Sequence, residues 1–423
     1  MSLGQRLRYG VYAAAVTTAA LLVLEAIFGW WVPPTRDEAL WRPGVTPWVA
    51  SDDGFYRPNP ESPLPVAAHP FRVAKGDAWR VFFVGESFLR GVPYDEIGTI
   101  HGWLHERLLA GHPSVPVEVV NASMSAQNSA RIRETVDFAL EHHPDLLVVA
   151  TCNNEGTLQP SAVTRALHDS GTFRALRSAL RSGEALPTHT LQNPDTEAVR
   201  DAFRQNLRAI VESTGRRGVP LLLCTLPLNL RYDGDESGLA HAADRWEAPG
   251  TWSAPACVVP GRDAVRAGRH AEAIEALRGC EEAEALRWLG LAQAGLGDPV
   301  ARRTLEQYVE LMPRNRCRPS FQAVIREEAR RGGHVTLVDL DARSRSRAPA
   351  GLPGSEDFTD YCHLRWGAQA DVADALIEAL DGRGLGPRGS GLRAPVPDRG
   401  ALVEAARLAG TLRAPAEQRR GRR

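Results

Sequence analysis

Lysine is almost missing from this chain: Lys75 stands alone among 50 basic residues, and arginine supplies the rest. Such a bias reads as codon usage, so scattered arginines do not mark phosphate sites. Net charge is -1 at pH 7, which leaves no global field to recruit nucleic acid or an acidic partner. The six cysteines (152, 224, 257, 280, 317 and 362) include no CxxC pair. That spacing argues against zinc and leaves disulfides open. Hydrophobic residues make up 43% and charged residues 24%, ordinary globular values, and 423 residues suffice for two or three domains.

One long apolar run is present, "VYAAAVTTAALLVLEAIFGWWV", residues 11–32. At about 1.5 Å per residue it matches a bilayer core of roughly 30 Å. Residues 1–10 carry Arg6 and Arg8 ahead of it, and Trp30 and Trp31 close it as an interfacial belt. A cleaved signal peptide is the alternative. Cleavage lacks its small-x-small site, because Glu25, Ile27, Phe28 and Trp30 occupy the relevant positions. The run therefore reads as a retained anchor, with a cytoplasmic N-terminus and the bulk of the chain extracytoplasmic. Glu25 would cost about 2.5–3.5 kcal/mol at mid-membrane, which places it near the outer interface or against a partner.

Residues 33–72 are rich in proline and tryptophan without a sustained period and read as an extended strap. Beyond it, "WRVFFVG", "VPVEVVN", "PDLLVVATCNN", "GVPLLLCTLP" and "GGHVTLVDLD" read as strands separated by helical spacing. This alternation predicts a flavodoxin-like α/β/α domain with a mostly parallel five-stranded sheet, in two parts, 73–240 and 316–381. Residues 255–315 interrupt it with alanine- and leucine-rich helices. "GRHAEAIEAL" and "WLGLAQAGLGDPVARRTL" look like tetratricopeptide pieces, either a plain helical hairpin or a surface for a protein partner. Residues 382–423 read as a basic, disordered Gly/Pro/Arg tail that is solvated or touches anionic lipid.

In a parallel sheet, reactive groups gather beyond the carboxyl ends of the strands. Those ends hold Ser87 in "GESF", Asn121, Ser123 and Ser125 in "NASMSAQNS", and Asn153 and Asn154 in "TCNNEG". The fourth strand ends in "TLPLNLR", and Asp360 and His363 follow the fifth in "DFTDYCHLRWG". A serine, an amide donor and an acid–histidine pair three residues apart are the set that acyl transfer needs.

These segments resemble the SGNH, or GDSL-like, hydrolase superfamily. That family carries Ser in a first block, Gly in a second, Asn in a third and Asp-x-x-His in a last. "GESF" is similar to the first block with Glu86 where Asp is usual, and "NASMSAQNS" to the second with Ser123 in the glycine's place. "CNNE" is similar to the third, with Cys152 where glycine usually stands, and "DYCH" to the fourth. The helical insert and the anchor resemble bacterial members that carry both. The resemblance implies Ser87 as nucleophile, His363 as general base and Asp360 as its orienting acid. It implies an oxyanion hole from the Ser87 and Ser123 N–H groups and the Asn154 amide, with no metal or cofactor. The implied activity is hydrolysis of an extracytoplasmic acyl ester such as an O-acylated carbohydrate. Acyl transfer from the same serine and a degenerate scaffold are the alternatives. Cys152 and Cys362 flank site residues on two loops and read as buried thiols, a mutual disulfide being the other reading.

Overall fold

A computed structural model describes residues 3–31, 45–60, 62, 70–94, 98–112, 114–156, 167, 170–180, 196–232, 255–311 and 316–387. Residues 33–44, 61 and 63–69 of the expected strap and 388–423 of the expected tail lie outside them. The chain forms two compact units.

The smaller unit takes in residues 1–46, 60–64 and 158–191. Its helix α1 (Leu3–Trp31) includes a 24-residue span long and apolar enough to cross a membrane. Glu25 is not bare. Its carboxylate accepts bonds from Ser170 Oγ at 2.7 Å, from Thr172 N at 3.2 Å and from Gly171 N, at the start of the Gly171–Leu180 helix. Gly171 lies against the backbone of α1, where an added Cβ would stand 2.2 Å from Gly29 N. The acid at residue 25 therefore meets the unsatisfied N–H groups of a helix start.

The larger unit comprises residues 47–59, 65–157 and 192–423. It opens with an antiparallel sheet of β1 (Trp48–Ala50), β2 (Phe55–Pro58) and β3 (Phe71–Arg72). The strap is thus partly ordered into strands of three, four and two residues, too short for alternation to register in the sequence. Trp48 fixes it to the core through edge contacts to Phe71 at 5.5 Å and Phe82 at 5.4 Å. His142 packs in the same aromatic cluster, where burial lowers its pKa to about 4.

The main sheet is built from β4 (Trp79–Gly85), β5 (Val117–Asn121), β6 (Leu146–Ala150), β7 (Leu221–Cys224) and β8 (Val335–Val338). After β4 come α2 (Ser87–Arg90) and α3 (Ile100–Gly111); after β5, α4 (Ser129–Leu140); after β6, α5 (Thr196–Arg216). Between β7 and β8 lie α6 (Val259–Arg266), α7 (His270–Ala276), α8 (Ala283–Gly295), α9 (Ala301–Leu311) and α10 (Pro319–Ala329). After β8 the chain forms α11 (Leu340–Arg347) and α12 (Trp366–Arg383).

The strand order is β5-β4-β6-β7-β8 and every pair is parallel, the flavodoxin-like order expected. Every residue of β4 and β6 is buried, as unbroken apolar runs require when helices cover both faces. The chain steps from β4 out to β5, then back past β4 to β6. Right-handed crossovers put α3 on one face and α4, α5 and α10 on the other. On the first face α12 joins α3, with the Trp103 and Trp366 rings 4.9 Å apart. On the other, Phe203 of α5 meets Phe321 of α10 at 5.2 Å. The reversal falls between β4 and β6, beyond whose carboxyl ends sheets of this kind place their sites.

The intervening helices have an apolar cluster of their own, Val258, Leu277, Ala285 and Trp288, beside a Cys257–Cys280 disulfide. Leu305, Tyr308 and Val309 of α9 join the main core, so these helices lean on the sheet domain.

Candidate active site

The site begins where β4 cannot continue. Gly85 pairs with Ala150, and an added Cβ would stand 2.5 Å from the Ala150 carbonyl oxygen. Only glycine fits so close an approach. Glu86 is extended and buried, and Ser87 then opens the single turn of α2. As the first helical residue, its N–H has no acceptor within the turn. Ser87 is 8% exposed, so its hydroxyl is held by neighbours yet not sealed off.

Asp360 and His363 come from the segment between α11 and α12. Thr359 N donates to the His363 carbonyl at 2.8 Å, and a bridge pairs Phe358 with Leu364. Inside this tight loop, Asp360 Oδ1 accepts the N–H groups of Cys362 at 2.9 Å and His363 at 2.7 Å. Its Oδ2 stands 2.7 Å from His363 Nδ1. Burial raises the Asp360 pKa, but the bonds to His363 and to these N–H groups outweigh it and hold the carboxyl below its ordinary value. An ionised carboxylate can only accept, so Nδ1 carries the proton and Nε2 presents a lone pair. Nε2 lies 2.8 Å from Ser87 Oγ, oriented to accept that hydroxyl's hydrogen. Asn229, in the loop after β7, donates to the Asp360 carbonyl at 2.7 Å and steadies the segment from behind.

The loop after β6 separates two neighbouring asparagines. The Asn153 side chain turns inward, its Oδ1 accepting Cys317 N at 2.9 Å. Asn154 Nδ2 donates to Glu86 Oε2 at 2.9 Å, beside the serine. Cys152 pairs with Cys317 in a disulfide, and Cys362 is a buried free thiol. This corrects the reading of Cys152 as a buried thiol and excludes its pairing with Cys362. Burial, with the Asp360 and Glu86 charges, pushes the Cys362 thiol pKa well up. Asp360, Cys362 and His363 place potential metal-ligating atoms within 4.8 Å of one another. Both imidazole nitrogens already face Asp360 and Ser87, and the thiol is held protonated, so this donor set suits proton transfer better than a cation.

Ser123 departs from expectation. It is buried, and its N–H donates to Asn121 Oδ1 at 3.0 Å. That donor is committed inside the loop rather than offered to an oxyanion. In the same loop Ala126 is exposed with φ +62°, the left-handed conformation that favours glycine. Ala126 is therefore the residue of this loop with a glycine-like backbone. An alanine there costs about 1–2 kcal/mol. Glycine would return part of that gain as unfolded-chain entropy, about 0.4–1 kcal/mol. Ala126→Gly should accordingly stabilise the protein by roughly 0.5–1 kcal/mol in reversible denaturation.

The sequence also hides Glu86 and Arg316. Arg316, just before Cys317, places its guanidinium 5.9 Å from the Tyr361 ring and 5.6 Å from that of Tyr232. The Tyr361 ring is 6.2 Å from the His363 ring, so this aromatic–arginine cluster forms one wall beside the histidine.

No protein-family model matches the sequence, and no curated protein matches it. Among solved structures the fold is similar to the acetyl xylan esterase AlAXEase, at 15% identity, covering 71% of this chain and 99% of that one, with a TM-score of 0.36. It is also similar to a catalytic mutant of an acetylxylan esterase from Geobacillus stearothermophilus (12% identity, 71% and 94% covered, TM-score 0.36). A third likeness is to the lipase/acylhydrolase from Enterococcus faecalis (12% identity, 72% and 96% covered, TM-score 0.34). The roles of residues in this chain rest on its own geometry.

Proposed function

We propose that this chain is an SGNH-type serine ester hydrolase held at a membrane by α1. The observation that carries the proposal is the continuous relay from Asp360 Oδ2 through His363 to Ser87 Oγ, at 2.7 and 2.8 Å. Ser87 Oγ attacks the ester carbonyl while Nε2 of His363 takes its proton. The imidazolium is stabilised by Asp360, and it then returns the proton to the leaving alcohol. Water attacks the acyl-enzyme by the same route, freeing the acid and restoring the serine.

The oxyanion formed at each step is assigned to the Ser87 N–H and the Asn154 amide. The second loop's contribution is given to the Ala126 N–H rather than that of Ser123, whose N–H is committed to Asn121. The substrate is read as an acyl ester of small size, an O-acylated carbohydrate being the reading carried over from the family resemblance. Retention of α1 is supported by the bonds from Glu25 to the 170–172 segment. An extracytoplasmic site is supported by the Cys152–Cys317 and Cys257–Cys280 disulfides, which persist in oxidising compartments.

The test is hydrolysis of p-nitrophenyl acetate and of acetylated xylo-oligosaccharides by the full chain in detergent micelles. Release of acetate supports the proposal. Acetyl groups appearing on an added sugar in excess of free acetate would instead assign acyl transfer, and no turnover of any ester would remove the enzyme reading.

A further inference from the structure

The buried acid in front of the serine has no part in the proton relay, yet it binds the loop that carries Asn154. Glu86 Oε1 accepts Asn153 N at 3.1 Å, and Oε2 accepts Asn154 Nδ2 at 2.9 Å. The backbone N–H of Cys152 favours its ionised form. Two consecutive residues of the β6 loop are thus tied to one carboxyl, which is fully buried and in the residue next to Ser87. A primary amide is planar with two N–H bonds at fixed angles, so holding one N–H sets the direction of the other.

We infer that Glu86 is the positioning residue of the oxyanion hole, aiming the Asn154 amide at the carbonyl oxygen of the ester. The inference rests on the ester-hydrolase reading for its target and on these contacts for its geometry. Asn154 lies in the loop after β6, and its amide is bonded across to Glu86 on the β4 side. The Cys152–Cys317 disulfide and the Asn153–Cys317 bond pin the loop from the far side, and Glu86 pins it from the serine side. Acid and nucleophile share one backbone, so any shift of Ser87 carries the asparagine's anchor with it.

The charge state of Glu86 then bears on the rate. Titratable groups facing it are Glu155 in the same β6 loop and the Cys362 thiol, with Arg316 beyond that thiol. Burial, reinforced by Glu155, raises Glu86 to about 8 against the pull of its N–H donors. Ionised, it sets a negative charge one amide away from the developing oxyanion and opposes it. The wild-type kcat should therefore fall as pH rises through about 8.

The test is kinetic and uses the full chain in detergent. Glu86→Gln keeps the shape but swaps one acceptor oxygen for an NH2 group facing a donor. Its kcat should fall about 10–100-fold, short of the 10²–10³ typical for losing an oxyanion donor outright, with KM little changed and the alkaline limb gone. In an Asn154→Ala background the same change should cost nothing further. Multiplying losses, or a full wild-type kcat in Glu86→Gln, would overturn the inference. Glu86→Asp, which keeps the carboxyl, provides the check if the glutamine variant misfolds, and should retain more activity than Glu86→Ala.

An activity-independent reading separates this inference from the hydrolase assignment. With asparagine selectively labelled with nitrogen-15, the Asn154 side-chain amide resonances should shift with pH near 8 in the wild type and stay still in Glu86→Gln. No such shift in the wild type would overturn the positioning role. Failure of a fluorophosphonate to label wild-type Ser87 would count against the hydrolase reading alone.

Discussion

Ser87→Ala is expected to lower kcat for ester hydrolysis by about 10⁴-fold or more while the protein stays folded. The oxygen removed is the one that faces His363 Nε2 at 2.8 Å, just beyond the end of β4. Nucleophile and base act as a unit, so losing one wastes the other. His363→Ala should therefore lose about as much alone as when combined with Ser87→Ala. Asp360→Asn should lose less than either, because the remaining amide still fills the space but no longer dictates the imidazole tautomer. The removed hydroxyl is small and not sealed in the core, so Tm should move little. Turnover by Ser87→Ala at the wild-type rate, with identical unfolding, would mean that the relay distances describe a structural hydrogen bond.

The second large effect separates two neighbouring asparagines. Asn154→Ala should lower kcat by about 10²–10³ with KM nearly unchanged, since an oxyanion donor acts chiefly in the transition state. Asn153→Ala should do something different. Its Oδ1 accepts the buried N–H of Cys317, so its removal leaves a donor unpaired at a cost of about 1–3 kcal/mol in stability. Steady-state kinetics and denaturant melts on the two variants give the comparison. If Asn153→Ala takes the larger kcat loss and Asn154→Ala the larger stability loss, the assignment of the two residues is reversed.

Part of this arrangement is legible in the sequence because it depends on local pattern. "VFFVG" and "LLVVA" are apolar without alternation, which marks strands covered on both faces, and both form at the centre of the sheet. Ser87, Asn154 and the Asp360–His363 pair stand at strand ends or one helical step apart, so topology alone brings them together. What stays hidden depends on contacts distant in sequence or on backbone angles. The Cys152–Cys317 bond spans 165 residues, and spacing carries no record of such a pairing. A left-handed alanine at 126 carries no mark, since glycine is the residue that would have announced it. Glu86 reads as a substitution within a motif. Only the fold brings the β6 loop onto it, giving it two partners.

Glu25 illustrates the same division. The sequence gives reason to expect a partner for a carboxylate in an apolar helix, but the partner lies 145 residues away at Ser170. Expectation of a contact came from the cost of burying charge. Its identity needed the fold.

The most direct measurement of the central claim is covalent. The full chain in detergent, treated with a fluorophosphonate and digested, should yield one phosphonylated peptide, spanning "VFFVGESFLR", with the adduct on Ser87. Labelling should slow in His363→Ala and vanish in Ser87→Ala. An adduct on another serine, or labelling of Ser87 at an unchanged rate in His363→Ala, would contradict a nucleophile activated by His363.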